Sequence, residues 1–172
     1  MDLETQNRSR PAVSNPYQGS SSLLPANHPL NIAYRLGFIA LSIYGLHKLN
    51  VYNTVLRSPK VNHAFFQAAM ALTVAGLGLK SYIEMYEGYI RKQTINYKNY
   101  RQTTHAMMAI IFLSNILYHA ALWPAFGAGK TIVIVNFLVG FGILLQFSLL
   151  VPTYVQNVVA FVLLTFFVQE YQ

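Results

Sequence analysis

The sequence contains no cysteine, which removes disulfides, thiolate metal sites and cysteine nucleophiles together. Acidic residues are scarce as well: Asp2, Glu4, Glu84, Glu87 and Glu170 are all that occur. Signature motifs are missing too, with no G-x-x-x-x-G-K-[ST] phosphate loop, no G-x-S-x-G nucleophile elbow and no H-E-x-x-H metalloprotease helix. Charge of either sign is thin, 10% of residues against about 25% in soluble domains. Residues 131–169 carry none at all.

Apolar side chains fill the space, at 54% of the 172 residues. A helix rises about 1.5 Å per residue, so roughly 20 apolar residues cross a bilayer core. The uncharged run 131–169 is long enough for nearly two crossings, with Pro152 where a turn between them falls. The expectation is an all-α, multi-pass transmembrane helical bundle of five spans: 31–50, 62–79, 104–123, 131–150 and 153–169. A re-entrant segment within 131–169 is the alternative, and a resulting even count of four would return the C-terminus to the side of the N-terminus. Arg35, His47 and Lys48 lie near the ends of the first span, where long side chains reach the headgroups. Residues 31–172 therefore form the bundle, with a basic, Tyr-rich loop at about 81–103.

Residues 1–30 are different in kind. They hold Pro11, Pro16, Pro25 and Pro29 and the run Ser20-Ser21-Ser22, too little apolar surface to offset the entropy of ordering, so a flexible tail is expected. The tail has no apolar core of signal-peptide type, which leaves the first span as an uncleaved insertion signal. It also contains Asn15-Pro16-Tyr17, similar to NPxY-type docking peptides.

A net charge of +7 suits nucleic acid in a soluble protein. Here the basic residues lie between apolar spans, where topology and anionic headgroups explain them, so membrane lipids are expected as partners and nucleic acid is not. With residues 1–30 in the cytosol or matrix, that side collects Arg8, Arg10, Arg35, Lys80, Arg91, Lys92, Lys98 and Arg101. The other side keeps only Lys48, Arg57, Lys60 and Lys130, so the positive-inside rule favours this orientation. The sequon Asn7-Arg8-Ser9 then never meets the glycosylation machinery. The endoplasmic reticulum and the mitochondrial inner membrane are the expected homes.

The loop after the second span offers one surface. Tyr82, Tyr86 and Tyr89 share a helix face, and with Arg91, Lys92, Lys98 and Arg101 they form a patch suited to lipid headgroups or an acidic partner. Lys80/Glu84 and Glu87/Arg91 are i,i+4 pairs on the same segment. Small residues mark packing faces at Ala64/Ala68 and Ala71/Ala75, then Gly76 and Gly78, and again at Gly140 and Gly142. Gln67, Asn115, Asn136 and Gln146 are polar at membrane depth, suited to bonds between helices or to lining a pore, and Gln156 and Asn157 add to that set. No acid lies inside a span, which argues against ion-coupled transport.

Histidine carries the remaining chemistry. His105 and His119 form a His-x13-His pattern that resembles the two-haem helices of b-type cytochromes, but only His28 in the tail could face His105. His47, His63 and His119 fall at one membrane boundary, where three imidazoles are able to hold haem, zinc or copper. No nearby carboxylate orients their rings, and no cofactor is expected from the motifs. The first span, through Arg35, Gly45 and Lys48-Leu49, resembles the first helix of the DoxX-like small membrane proteins. The function expected is a non-catalytic integral membrane subunit or adaptor, associating with other membrane subunits or with copies of itself. A small carrier or channel for a polar solute or lipid, and a histidine-based electron-transfer subunit, are the alternatives.

Overall fold

A computed structural model describes residues 28–92 and 100–171, except for the side chain of Tyr89. The tail expected over 1–30 lies outside these up to residue 27, as do Asn15-Pro16-Tyr17 and Lys98. The described residues are helical with no strand: α1 (Pro29–Lys48), α2 (Val51–Arg57), α3 (His63–Ser81), α4 (Arg101–Phe126), α5 (Ala128–Leu150) and α6 (Thr153–Tyr171). Two stretches widen to π-helix, Tyr82–Ile90 continuing α3 and Val133–Leu145 within α5.

Local chemistry sets the helix ends. Pro29 occupies the first turn of α1, where its missing N–H is no loss, and His28 caps that turn by accepting from the Leu30 amide at 3.3 Å. Asn62 caps α3, its Oδ1 accepting from the Phe65 amide at 3.3 Å. Asn50 separates α1 from α2 in the left-handed conformation, φ 48°. Gly127 separates α4 from α5 at φ 77°, a conformation that side chains other than glycine rarely adopt. Pro152 supplies the carbonyl that starts α6.

Contacts fix the order of packing. Asn62 N donates to Ala121 O at 3.0 Å and Phe66 meets Tyr118 at 5.5 Å between ring centroids, so α3 and α4 run antiparallel. Lys80 meets Asn157 while His63 meets Tyr171, so α6 runs antiparallel to α3. The guanidinium of Arg35 donates to the Leu149 carbonyl and Phe38 packs on Phe141, so α1 runs antiparallel to α5. Exposed apolar side chains such as Ile111, Phe112, Leu163 and Phe166 cover the outside, and the buried core is confined to a few residues including Val55, Phe66, Leu122 and Ile134. A water-soluble domain of this size would bury far more of its large apolar side chains. The chain is an integral, multi-pass helical membrane protein.

Among the described residues four helices are long and apolar enough to cross a bilayer: His63–Gly88, Arg101–Phe126, Ala128–Leu150 and Thr153–Tyr171. Four of the five expected spans coincide with these helices. The first, α1, falls outside that set, since Asn31, Arg35, His47 and Lys48 dilute its apolar content, although it lies along α5 at the same depth. The expected pair over 131–169 consists of two full-length helices and not a re-entrant hairpin.

The α1–α5 crossing depends on one glycine. A Cβ at Gly142 would stand 2.8 Å from the Ser42 Cβ and 3.1 Å from the Phe137 carbonyl, so the two backbones approach only because that atom is missing. Gly142→Ala is expected to destabilise the protein by about 1–3 kcal/mol in detergent unfolding titrations. Ser42→Gly in the same chain should restore most of the loss, whereas Gly37→Ala, with nothing within 4 Å, should leave the midpoint almost unchanged or slightly raised.

Candidate functional site

The helical repeat places Lys80 and Glu84 one turn apart on α3, and they pair at 3.1 Å. Alone, such a half-exposed pair contributes little. Asn157 of α6, only 1% exposed, changes that: its Oδ1 accepts from Lys80 Nζ at 3.0 Å and its Nδ2 donates to Glu84 Oε2 at 3.1 Å. Gln156 accepts from the same ammonium at 3.4 Å and donates to the carbonyls of Ser148 and Val151. One clasp thus ties α3 to both sides of the α5–α6 turn, and an amide satisfies both charges as they leave water.

A second carboxylate organises the next turn. Glu87, 6% exposed, accepts from Tyr82 at 3.2 Å, Arg91 at 3.3 Å and Tyr100 at 3.1 Å. Arg91 also lies over the Tyr86 ring at 5.2 Å, and that ring stacks on Tyr82 at 5.3 Å. The Glu87 charge raises the Arg91 pKa, and partial burial together with the bond to Glu87 raises that of the Tyr100 phenol. Of the expected patch, Tyr82, Tyr86 and Arg91 come together, but around a carboxylate of their own chain. Lys92 ends the segment in a left-handed conformation at φ 51°, Arg101 is exposed at the start of α4, and the Tyr89 side chain and Lys98 lie outside the described residues.

At mid-depth, Asn115 Nδ2 donates to Asn136 Oδ1 at 2.9 Å, joining α4 to α5. His119 closes the set, with Nδ1 2.8 Å from the Asn115 carbonyl and Nε2 3.4 Å from the Asn136 amide nitrogen. A proton on Nδ1 satisfies both contacts, since Nε2 then accepts. Gln146 is buried and bonds the Phe141 carbonyl of its own helix at 3.4 Å. Gln67 is exposed on the outside of α3. The four residues expected to line a pore therefore share no lumen; Asn115 and Asn136 meet, and Gln67 and Gln146 stand apart.

The three boundary histidines are not brought together. His63 spends Nδ1 on the Tyr171 hydroxyl at 2.6 Å and Nε2 on the Ser58 carbonyl at 3.2 Å. His119 is held by the two asparagines, and His47 lies at the end of α1 beside a cavity. Among the described residues no three His, Asp or Glu side chains form a metal-binding group.

That cavity has a volume of about 680 Å³ and draws its walls from all six helices. Its lining is apolar except at the α1–α2 corner, where His47, Asn50 and Asn53 contribute. Residues 51–61 lie between the first two expected spans, and α2 occupies most of them. The signal for α2 was present in Val51, Val55 and the flanking Leu46 and Leu49, apolar at helical spacing and packed on the core. The clasp was foreshadowed by two amides at the start of α6 and a charged pair at the end of α3, which an antiparallel arrangement brings to one end.

The two amide systems should differ in strength. Asn157→Leu removes the buried amide that bonds both members of the half-exposed Lys80–Glu84 pair, with an expected loss of about 1–3 kcal/mol. Asn136→Leu breaks one helix–helix amide bond, expected at about 0.6–1.7 kcal/mol. Unfolding midpoints in mixed micelles check the order, with the Asn157 variant the weaker protein.

No curated protein and no solved structure matches this chain. A family model described as TMEM128 protein matches residues 27–150, from just before α1 to the end of α5 and short of α6. That match covers well over half of the sequence, and the chain belongs to the TMEM128 family.

Proposed function

We propose that this protein is a non-catalytic, membrane-embedded subunit or adaptor that packs α3 against a transmembrane helix of another chain or of a second copy. The observation that carries this reading is the outer face of α3. Ala64, Ala68, Ala71, Ala75 and Gly78 recur at spacings of four and three and are all exposed. Phe66, Ala69 and Thr73 hold the opposite face against the bundle. A Cβ added at Gly78 would meet nothing within 4 Å.

Between helices in lipid, association comes from close backbone approach and interhelical hydrogen bonds. The small face offers the first, and Gln67 at its edge, exposed and with no side-chain hydrogen bond among the described residues, offers the second. The inward polar groups Asn157, Asn136 and Glu87 are engaged in ties within the chain, which supports a structural role over a catalytic one. The placement of basic residues supports a cytosolic or matrix-side N-terminus for this subunit.

Affinity purification in mild detergent, followed by sizing and cross-linking through a cysteine introduced at Ala71, tests the reading. A stable complex or dimer is expected, cross-linked through α3. Ala68→Leu with Ala75→Leu should dissolve it while leaving the unfolding midpoint of the chain within about 0.5 kcal/mol of the parent. A lone monomer in native lipid nanodiscs, or an assembly indifferent to both substitutions, would overturn the assignment.

A further inference from the structure

The cavity between α1–α2 and the remaining helices has features that packing alone does not require. Phe66, Leu122, Ile134, Val139 and Phe167 make its walls apolar, and Tyr118 presents its ring there while its hydroxyl is bonded to Thr73 at 3.0 Å. The polar lining is gathered at one corner, and the side chains of His47, Asn50 and Asn53 form no hydrogen bond within the described chain. Asn50 stands at the start of α2 without using its amide to cap that helix. An apolar chamber with a cluster of uncommitted hydrogen-bonding groups at its mouth is the form of an amphiphile site.

Size and charge narrow the ligand. At roughly 30 Å³ for a group the size of a water, the volume of about 680 Å³ holds about twenty methylene-sized groups, one long acyl chain and not two. The end of the bundle that holds the mouth carries Lys48, Arg57, Lys60 and Lys130 against Glu170 among the described residues, a balance that favours an anionic head. We propose that this cavity binds a single-chain lipid with an anionic headgroup, its chain between Phe66, Ile134 and Phe167 and its head on His47, Asn50 and Asn53. A free fatty acid and a lysophospholipid share this chemistry.

Photolabelling of the full chain in phosphatidylcholine nanodiscs tests the site and separates the sources, with diazirine-tagged palmitic acid in one arm and diazirine-tagged lysophosphatidylglycerol in the other. Labelled peptides are mapped by mass spectrometry. Saturable labelling is expected on the facing stretches of α1, α2 and α5, displaced by the unlabelled lipid, in one arm or both; the arm that labels names the source. Val139→Trp fills the chamber and should abolish it. Asn50→Asp with Asn53→Asp, on an exposed corner that leaves folding intact, sets like charge against the head and should cut it about tenfold or more. Labelling in both arms that never saturates and spreads over outer residues such as Phe112 and Leu163 would overturn the proposal. So would indifference to the paired aspartates, or equal displacement by an uncharged monoacylglycerol.

Discussion

Hydrocarbon offers a side-chain amide or hydroxyl nothing to bond, so each polar group carried into the bilayer must meet another one. In this bundle the meeting points are also the helix crossings. Asn157 joins α6 to α3, Asn136 joins α5 to α4, Tyr118 joins α4 to α3 and Tyr171 joins α6 to α3. Two threonines solve the problem within their own helices: Thr131, fully buried, and Thr165, exposed, return their hydroxyls to the carbonyl one turn back. Since polar pairs of this sort are weak one by one, the architecture rests on placing each where two backbones already touch.

Close backbone contact is the second half of the same constraint. Lipid tails solvate leucine as well as protein does, and burial gives helices little reason to associate. Gly142 lets α5 rest on Ser42 of α1, Gly45 accepts Leu138, and Gly76 accepts Ile110 of α4 at 3.0 Å from where a Cβ would lie. Every one of these glycines faces inward. On α3, Gly76 uses this device inwardly against α4, while Ala64, Ala68, Ala71 and Ala75 on the same helix are exposed.

Span boundaries were legible because uninterrupted apolar length is a one-dimensional property. The expected 131–150 and 153–169 match Ala128–Leu150 and Thr153–Tyr171 closely, and 104–123 lies within Arg101–Phe126. Which helix ends lie together was legible for two of the three boundary histidines: His47 and His63 stand at the same end, whereas His119 lies inside α4, short of its end. Azimuth was not. Whether two groups at one depth meet depends on which way each helix is turned and which helix stands beside it, and His63 spends its ring on Tyr171, 108 residues away. The same limit hid the clasp, where Lys80 and Asn157 are 77 residues apart. Break points governed by a single backbone conformation, such as the left-handed Asn50 that creates α2, were equally invisible to an apolar count.

Azimuth and depth together explain why the chamber lies where it does. At the end near Pro152 the helices are drawn inward: Lys80, Glu84 and Asn157 bind α3 to α6, and Arg35 binds α1 to the last turn of α5. At the opposite end α6 stays with α3 through Tyr171 and His63, while α1 has no comparable polar tie to α3, α4 or α6 among the described residues. There α1 packs on α5 and α2 while α5 stays joined to α4 through Asn136 and Asn115, and Val55 of α2 reaches the core beside Phe66, Leu122 and Ile134. A chamber of this kind does not collapse when the helices around it are held by contacts elsewhere, and its walls tolerate change only up to the volume they enclose. The amides of Asn50 and Asn53 stand at the cavity's mouth, at the end of the bundle opposite the clasp.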